Sequence, residues 1–197
     1  ADEDVLLNKC ANVCADKLLE HCSIPASRKP VFVYGFELTF STLSSFCSVL
    51  ILSAVFQSLA QGALFLATYF CLRLFCGGLH AKTYAQCFLS TNATFLAVLL
   101  PARLFPLLHM PWLLFFLIVP ANVLIFAWAP VKNAHHPLSE GRRRRNRNIA
   151  RALVILFDLL CAALYVLSPD FLLPMFSLSG AAVAVLLIPP KIQEGQL

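Results

Sequence analysis

Residues 33–56 read VYGFELTFSTLSSFCSVLILSAVF. The run carries a single charged residue, Glu37, and exceeds the roughly 20 residues that cross a bilayer as a helix. It is apolar all round rather than alternating, which excludes a barrel strand and reads as a membrane helix. Runs of the same character follow outward along the chain at 62–76, 88–104, 112–129, 149–167 and 171–188. Composition agrees: 59% of the 197 residues are hydrophobic, 13% are charged, and mean hydropathy is +0.78. A soluble domain of this length carries far more charged surface. The expectation is an all-α polytopic membrane protein, one integral-membrane domain over 1–197, with about six transmembrane helices over 33–188.

Ahead of these runs, residues 1–30 form a separate segment. Val5, Leu6, Cys10, Val13, Cys14, Leu18 and Leu19 recur at three- and four-residue spacings, with Asp4, Lys9, Asp16, Lys17 and Glu20 between them. This is the pattern of an amphipathic helix lying in the membrane interface or against the bundle, ended by Pro25 and Pro30. The N-terminus is acidic and lacks a long apolar stretch, so no cleavable signal peptide is expected. Cys10, Cys14, Cys22 and His21 fit no standard zinc spacing; no metal and no cofactor are expected. Pro120 and Asn122 predict a kink in the fourth span. Pro189 and Pro190 are expected to close the sixth.

Charge sets the orientation. With the N-terminus in the cytosol, six spans place 14 of the 15 Lys and Arg residues on the cytosolic side, leaving only Arg103 outside. The positive-inside rule therefore predicts an N-in, C-in arrangement. Residues 130–148, with Arg142, Arg143, Arg144, Arg145 and Arg147, form a basic cytosolic loop that anchors orientation and binds anionic lipid of the bilayer. No nucleic-acid recognition module accompanies it. Of the eight cysteines, Cys47, Cys71 and Cys161 lie in apolar runs, where Cys behaves as a small hydrophobe. Cys10, Cys14, Cys22, Cys76 and Cys87 face a reducing compartment.

Between the second and third spans lies Arg73-Leu74-Phe75-Cys76-Gly77-Gly78-Leu79-His80-Ala81-Lys82-Thr83-Tyr84-Ala85-Gln86-Cys87. Chemically capable residues beside a membrane core are a candidate functional site. Cys87 is the candidate nucleophile and His80 the base that raises its thiolate fraction. On one continuous helix the two would be separated by an axial rise of roughly 10 Å, out of hydrogen-bond reach. The helix must therefore break between them or begin after His80, with Gly77 and Gly78 supplying loop flexibility; the remaining option is pairing across two subunits of a homodimer. Thr83 is positioned to cap a helix that carries Cys87. Ser90 and Asn92 read as cap or interhelical hydrogen-bonding residues, and Glu37 as an interfacial acid near a helix N-terminus. Asp158, midway along the fifth span, must be paired, protonated or facing a polar cavity.

This stretch resembles the active-site motif of the AgrB, or accessory gene regulator B, family of membrane cysteine endopeptidases. Arg73, Gly77, Gly78, His80, Ala81 and Cys87 match in order and spacing. Tyr34-Gly35-Phe36-Glu37, and Ala129-Pro130-Val131 with Asn133, Pro137 and the basic run, resemble the family as well. The loop departs from it in being rich in Arg and in carrying His135 and His136, where relatives often have Lys. The resemblance implies a peptidase of the cell membrane, its site facing the cytosol. It would remove the C-terminal part of an AgrD-type propeptide and form a cyclic thiolactone or lactone quorum-sensing signal through a Cys87 acyl-enzyme. Arg73 would then bind a substrate carboxylate or stabilise negative charge, and Arg142, Arg143, Arg144 and Arg145 would hold an acidic peptide tail. The alternative reading is a small transporter or channel-like protein whose path uses Asp158 and Arg73. Internal repeats would favour it, and none is evident.

Overall fold

The structure, a computed structural model, describes residues 2–22, 25–77, 83–105, 110–131, 139–167 and 172–195. Gly78, His80, Ala81, Lys82, Asn133, His135, His136 and Pro137 lie outside the described residues. Among the described residues eight α-helices follow in order: α1 Asp2–His21, α2 Lys29–Val55, α3 Leu59–Cys76, α4 Tyr84–Leu104, α5 Pro111–Trp128, α6 Glu140–Leu167, α7 Leu173–Leu186 and α8 Ile188–Gly195. No strand occurs among the described residues. Helices α2, α3 and α4 are long and apolar enough to cross a membrane, while α5 and α7 are shorter apolar helices. Leu43, Ile51, Val55, Leu89, Phe115, Phe116 and Val123 lie exposed on these helices. In water such surface would be an aggregation liability; against lipid it is the expected exterior.

The chain divides into two compact units, Ala1–Ile51 with Ala81–Ala93, and Leu52–His80 with Thr94–Leu197. In the first, Asp16 of α1 pairs with Lys29 of α2 at 2.6 Å, and Asn8 of α1 donates to Glu37 of α2 at 2.5 Å. Helix α1 buries Ala11 and Ala15 completely and leaves Val13 56% exposed. Cys14, Leu18 and Leu19 are half-buried; the fully buried positions are the small residues, which permit close helix approach. Pro30 does not end α1. It lies in the first turn of α2, where a missing N–H is harmless.

In the second unit α7 packs against α3 and α5, and α6 packs against the same two helices. Leu114, Cys161, Leu173 and Phe176 form the core of this group, with Leu64, Ile118 and Phe157 around it. Arg103, near the end of α4, donates to the carbonyls of Phe56 at 2.6 Å and Gln57 at 3.4 Å. The α2–α3 turn and the end of α4 therefore share one end of the bundle. Pro120 lies inside α5, which runs through it as one helix; membrane helices tolerate such prolines when neighbours satisfy the freed backbone.

Two boundaries differ from the sequence reading. Helix α6 begins at Glu140, so the arginine run is its opening turns and not loop. Arg is a good helix former, Glu140 complements the N-terminal dipole, and the Arg143 N–H closes on the Ser139 carbonyl at 2.9 Å. With 28 residues, α6 is about 42 Å long. At the other end, α7 closes at Leu186 ahead of Pro189 and Pro190, but the two prolines then lie in the first turn of a further helix, α8, where proline fits.

Candidate active site

The site segment hangs between the end of α3 and the start of α4. On α3, Phe65 stacks on Tyr69 with ring centroids 4.9 Å apart. The Arg73 guanidinium lies 5.4 Å from the Tyr69 ring centroid and donates to the Tyr69 hydroxyl. Arg73 is thereby seated on the helix one turn below its end, half-buried rather than free in solvent.

Gly77 closes α3, its N–H donating to the Arg73 carbonyl at 3.1 Å, with φ +74° and ψ −150°. That region is open essentially to glycine alone. A Cβ there would still find room, its closest neighbour being the Val131 carbonyl at 3.5 Å, so the constraint is backbone conformation and not space. Gly77→Ala is expected to destabilise the protein by about 1–3 kcal/mol, read as a lowered thermal unfolding midpoint in detergent.

The same helix end is pinned from α5. Ala129 caps α5 through its N–H to the Ile125 carbonyl at 3.0 Å, and the Ala129–Pro130 peptide is cis. Val131 then donates its N–H to the Cys76 carbonyl at 3.1 Å. A helix leaves its last carbonyls without intrahelical partners, and Val131 satisfies one of them. Ala129, Pro130 and Val131 are all buried. The Ala-Pro-Val match thus has a physical task, tying the root of the α5–α6 connection to the residue before Gly77.

Helix α4 carries Cys87. Thr83 Oγ1 accepts the Gln86 N–H at 3.2 Å and the Thr83 carbonyl accepts the Cys87 N–H at 3.1 Å, so Thr83 is the N-cap. Because α3 ends at Cys76 and α4 begins at Tyr84, the helix that holds Cys87 begins after His80. Cys87 is half-buried and is a free thiol. Its carbonyl accepts the hydroxyls of Ser90 at 3.0 Å and Thr91 at 2.9 Å. Asn92 donates to the Phe88 carbonyl at 2.9 Å and accepts from Ser48 of α2 at 2.7 Å. Ser90 and Asn92 therefore serve the helix and the α2–α4 contact.

Glu37 is the residue that spacing undervalued. One carboxylate oxygen accepts from Asn8, and the other accepts the Tyr84 hydroxyl at 3.0 Å. It stands in the third turn of α2, beyond the reach of that helix's dipole. An acid set within an apolar helix was the available signal.

Asp158 takes both oxygens to the Asn122 amide, at 2.8 Å and 2.9 Å. The adjoining cavity, lined in part by Thr68 and Ser177, measures about 20 Å³, room for a water molecule. Arg142, Arg144, Arg145 and Arg147 are exposed and Arg143 is half-buried. No group of three potential metal ligands comes together among the described residues.

An all-helical membrane protein with a capped, cysteine-bearing helix after a glycine-closed one is the class these features define. Within that class the chain belongs to the AgrB family, Accessory gene regulator B, whose family model matches residues 11–188. The chain is 24% identical over 145 residues to AgrB-like protein 2 of Clostridium perfringens, covering 71% of this chain and 68% of that protein. It is 30% identical over 139 residues to an AgrB-like protein of Clostridium beijerinckii, covering 69% of this chain and 65% of the relative. The matched region thus spans about two thirds of each relative. No solved structure matches. AgrB is a family of processing proteases of agr quorum-sensing peptides, and membership implies a role in that processing.

Proposed function

We propose that this protein is a membrane-embedded cysteine endopeptidase that cuts the C-terminal part from an AgrD-type propeptide and closes a cyclic thiolactone or lactone. The observation that carries the reading is the location of the Gly77-Gly78-x-His80-Ala81-x5-Cys87 motif. It falls on the junction of α3 and α4, with Cys87 near the start of a capped helix. The Cys87 thiolate attacks the scissile carbonyl, His80 having taken the thiol proton. His80 returns that proton to the leaving amine, and the peptide remains on Cys87 as a thioester. The peptide's own Cys thiol or Ser hydroxyl attacks this thioester, forms the ring and releases Cys87. Exchange of thioester for thiolactone is nearly neutral in bond type, so the step needs positioning and water exclusion more than driving force. Arg73, seated on Tyr69, supplies positive charge beside the site segment. Arg142, Arg143, Arg144 and Arg145, spread around the opening turns of α6, offer positive charge to an acidic peptide tail.

The protein reconstituted in liposomes should cleave a synthetic AgrD-type propeptide, and its Cys87→Ala variant should not; cleavage by that variant would refute the reading. We also place the basic turns of α6 in the cytosol. A Cβ at Gly141 meets open space, so Gly141→Cys should add a site for impermeant maleimide in inside-out vesicles and none in intact cells. Added labelling from outside would reverse the orientation. A transporter reading finds little support in a cavity of about 20 Å³ beside Asp158.

A further inference from the structure

We infer that Glu37 is a positioning residue for the Cys87 nucleophile, acting through Tyr84; the inference rests on the peptidase reading above. Glu37 lies on α2, half-buried. Its Oε1 accepts the Asn8 amide of α1 at 2.5 Å, and its Oε2 accepts the Tyr84 hydroxyl of α4 at 3.0 Å. One carboxylate thus ties three helices of a single compact unit, the unit that also holds Cys87.

Tyr84 is the first residue of α4 and stands three positions before Cys87. Residues at this spacing are neighbours on one helix face. The Glu37–Tyr84 bond therefore fixes the side of α4 that bears the thiol and sets the rotation of its opening turn. Thr83 caps the backbone of that turn, but a cap leaves rotation about the helix axis undetermined; long-range bonds to α2 determine it, Ser48 to Asn92 about two turns on and Tyr84 to Glu37 at the opening turn itself. The bond is charge-assisted, roughly twice as strong as a neutral one, and stands in an apolar helix, where an unpaired carboxylate is costly. Nucleophilic attack needs reacting atoms about 3–3.5 Å apart, and a misplacement of about 1 Å lowers rates about a hundredfold. A tether that holds the thiol-bearing face contributes at that scale without touching substrate.

The test uses the full-length protein in liposomes with a synthetic propeptide. Glu37→Ala and Tyr84→Phe are each expected to lower kcat about tenfold or more, with KM held within about threefold. Glu37→Gln, which keeps an acceptor oxygen for Tyr84, retains most of the activity. The Glu37→Ala/Tyr84→Phe double variant is no slower than the slower single, because both remove the same bond. Wild-type kcat in Tyr84→Phe, which preserves the ring and its packing, or losses that multiply in the double variant, would overturn the inference. A second readout needs no propeptide: iodoacetamide alkylation followed at Cys87 by peptide mass mapping. The Cys87 rate should shift by about threefold or more in both single variants, and unchanged rates would refute the tether. Cleavage that persists in Cys87→Ala would instead defeat the peptidase reading, leaving the alkylation rates to decide the role of Glu37.

Discussion

Replacing Cys87 by alanine is expected to lower the rate of propeptide cleavage by roughly four orders of magnitude or more, to the level of the protein-free reaction. Nucleophile and base act as a unit, so His80→Ala should lose nearly as much, and the double variant should be no slower than either single. The physical reason is that an amide does not expel its amine without a protonated leaving group, nor form a thioester without the thiol. Cys87→Ser tests the chemistry further. A hydroxyl has a far higher pKa than a thiol and depends wholly on His80 for activation, so it should be inactive even with correct geometry. Release of C-terminal fragment, measured by mass spectrometry, separates these cases. Insertion should be unchanged in the Cys87 variants, because Cys87 is only half-buried and it is its carbonyl, not its side chain, that accepts the Ser90 and Thr91 hydroxyls.

The second large effect concerns substrate capture. Changing Arg142, Arg143, Arg144 and Arg145 together to Gln should raise KM by about tenfold to a hundredfold with little change in kcat. Each exposed ion pair is worth roughly 0.2–1 kcal/mol, and four add up to a change of this size. Gln keeps the helix propensity of Arg, so α6 should persist. The wild-type KM should rise with salt and the variant's should not, since screening acts only on the charge contribution. A propeptide whose acidic tail is neutralised should show the high KM with both proteins. An unchanged KM in the variant would remove these residues from substrate binding.

Much of this arrangement was legible in the chain. Runs such as 33–56 and 62–76 announce helices by length and uniform apolarity, properties that need no knowledge of neighbours, and α2 and α3 carry most of these two runs. Thr83 declared itself as a cap because an N-cap bond is local. Helical rise required that the helix break between His80 and Cys87 or begin after His80, or that the two pair across subunits; the structure has α4 beginning at Tyr84. Where local signals conflicted, the reading slipped. An arginine run looked like loop because it is polar, yet Arg favours helix and the run continues into α6. A proline pair closed one span as read, and the helix it also opens went unread, although proline is at home in a first turn.

By itself the sequence determined the helical membrane class, because hydropathy and helix periodicity are properties of short stretches, and it nominated a thiol and an imidazole for the site. Only the tertiary structure decided what those residues lean on. Tyr84 meets Glu37 across 47 positions, Asn122 meets Asp158 across 36, and Val131 closes the end of α3 at Cys76. Each is a hydrogen bond that an apolar, water-poor setting makes costly to leave unmade. Such a bond requires a partner without naming it, and the packing of the helices made the choice.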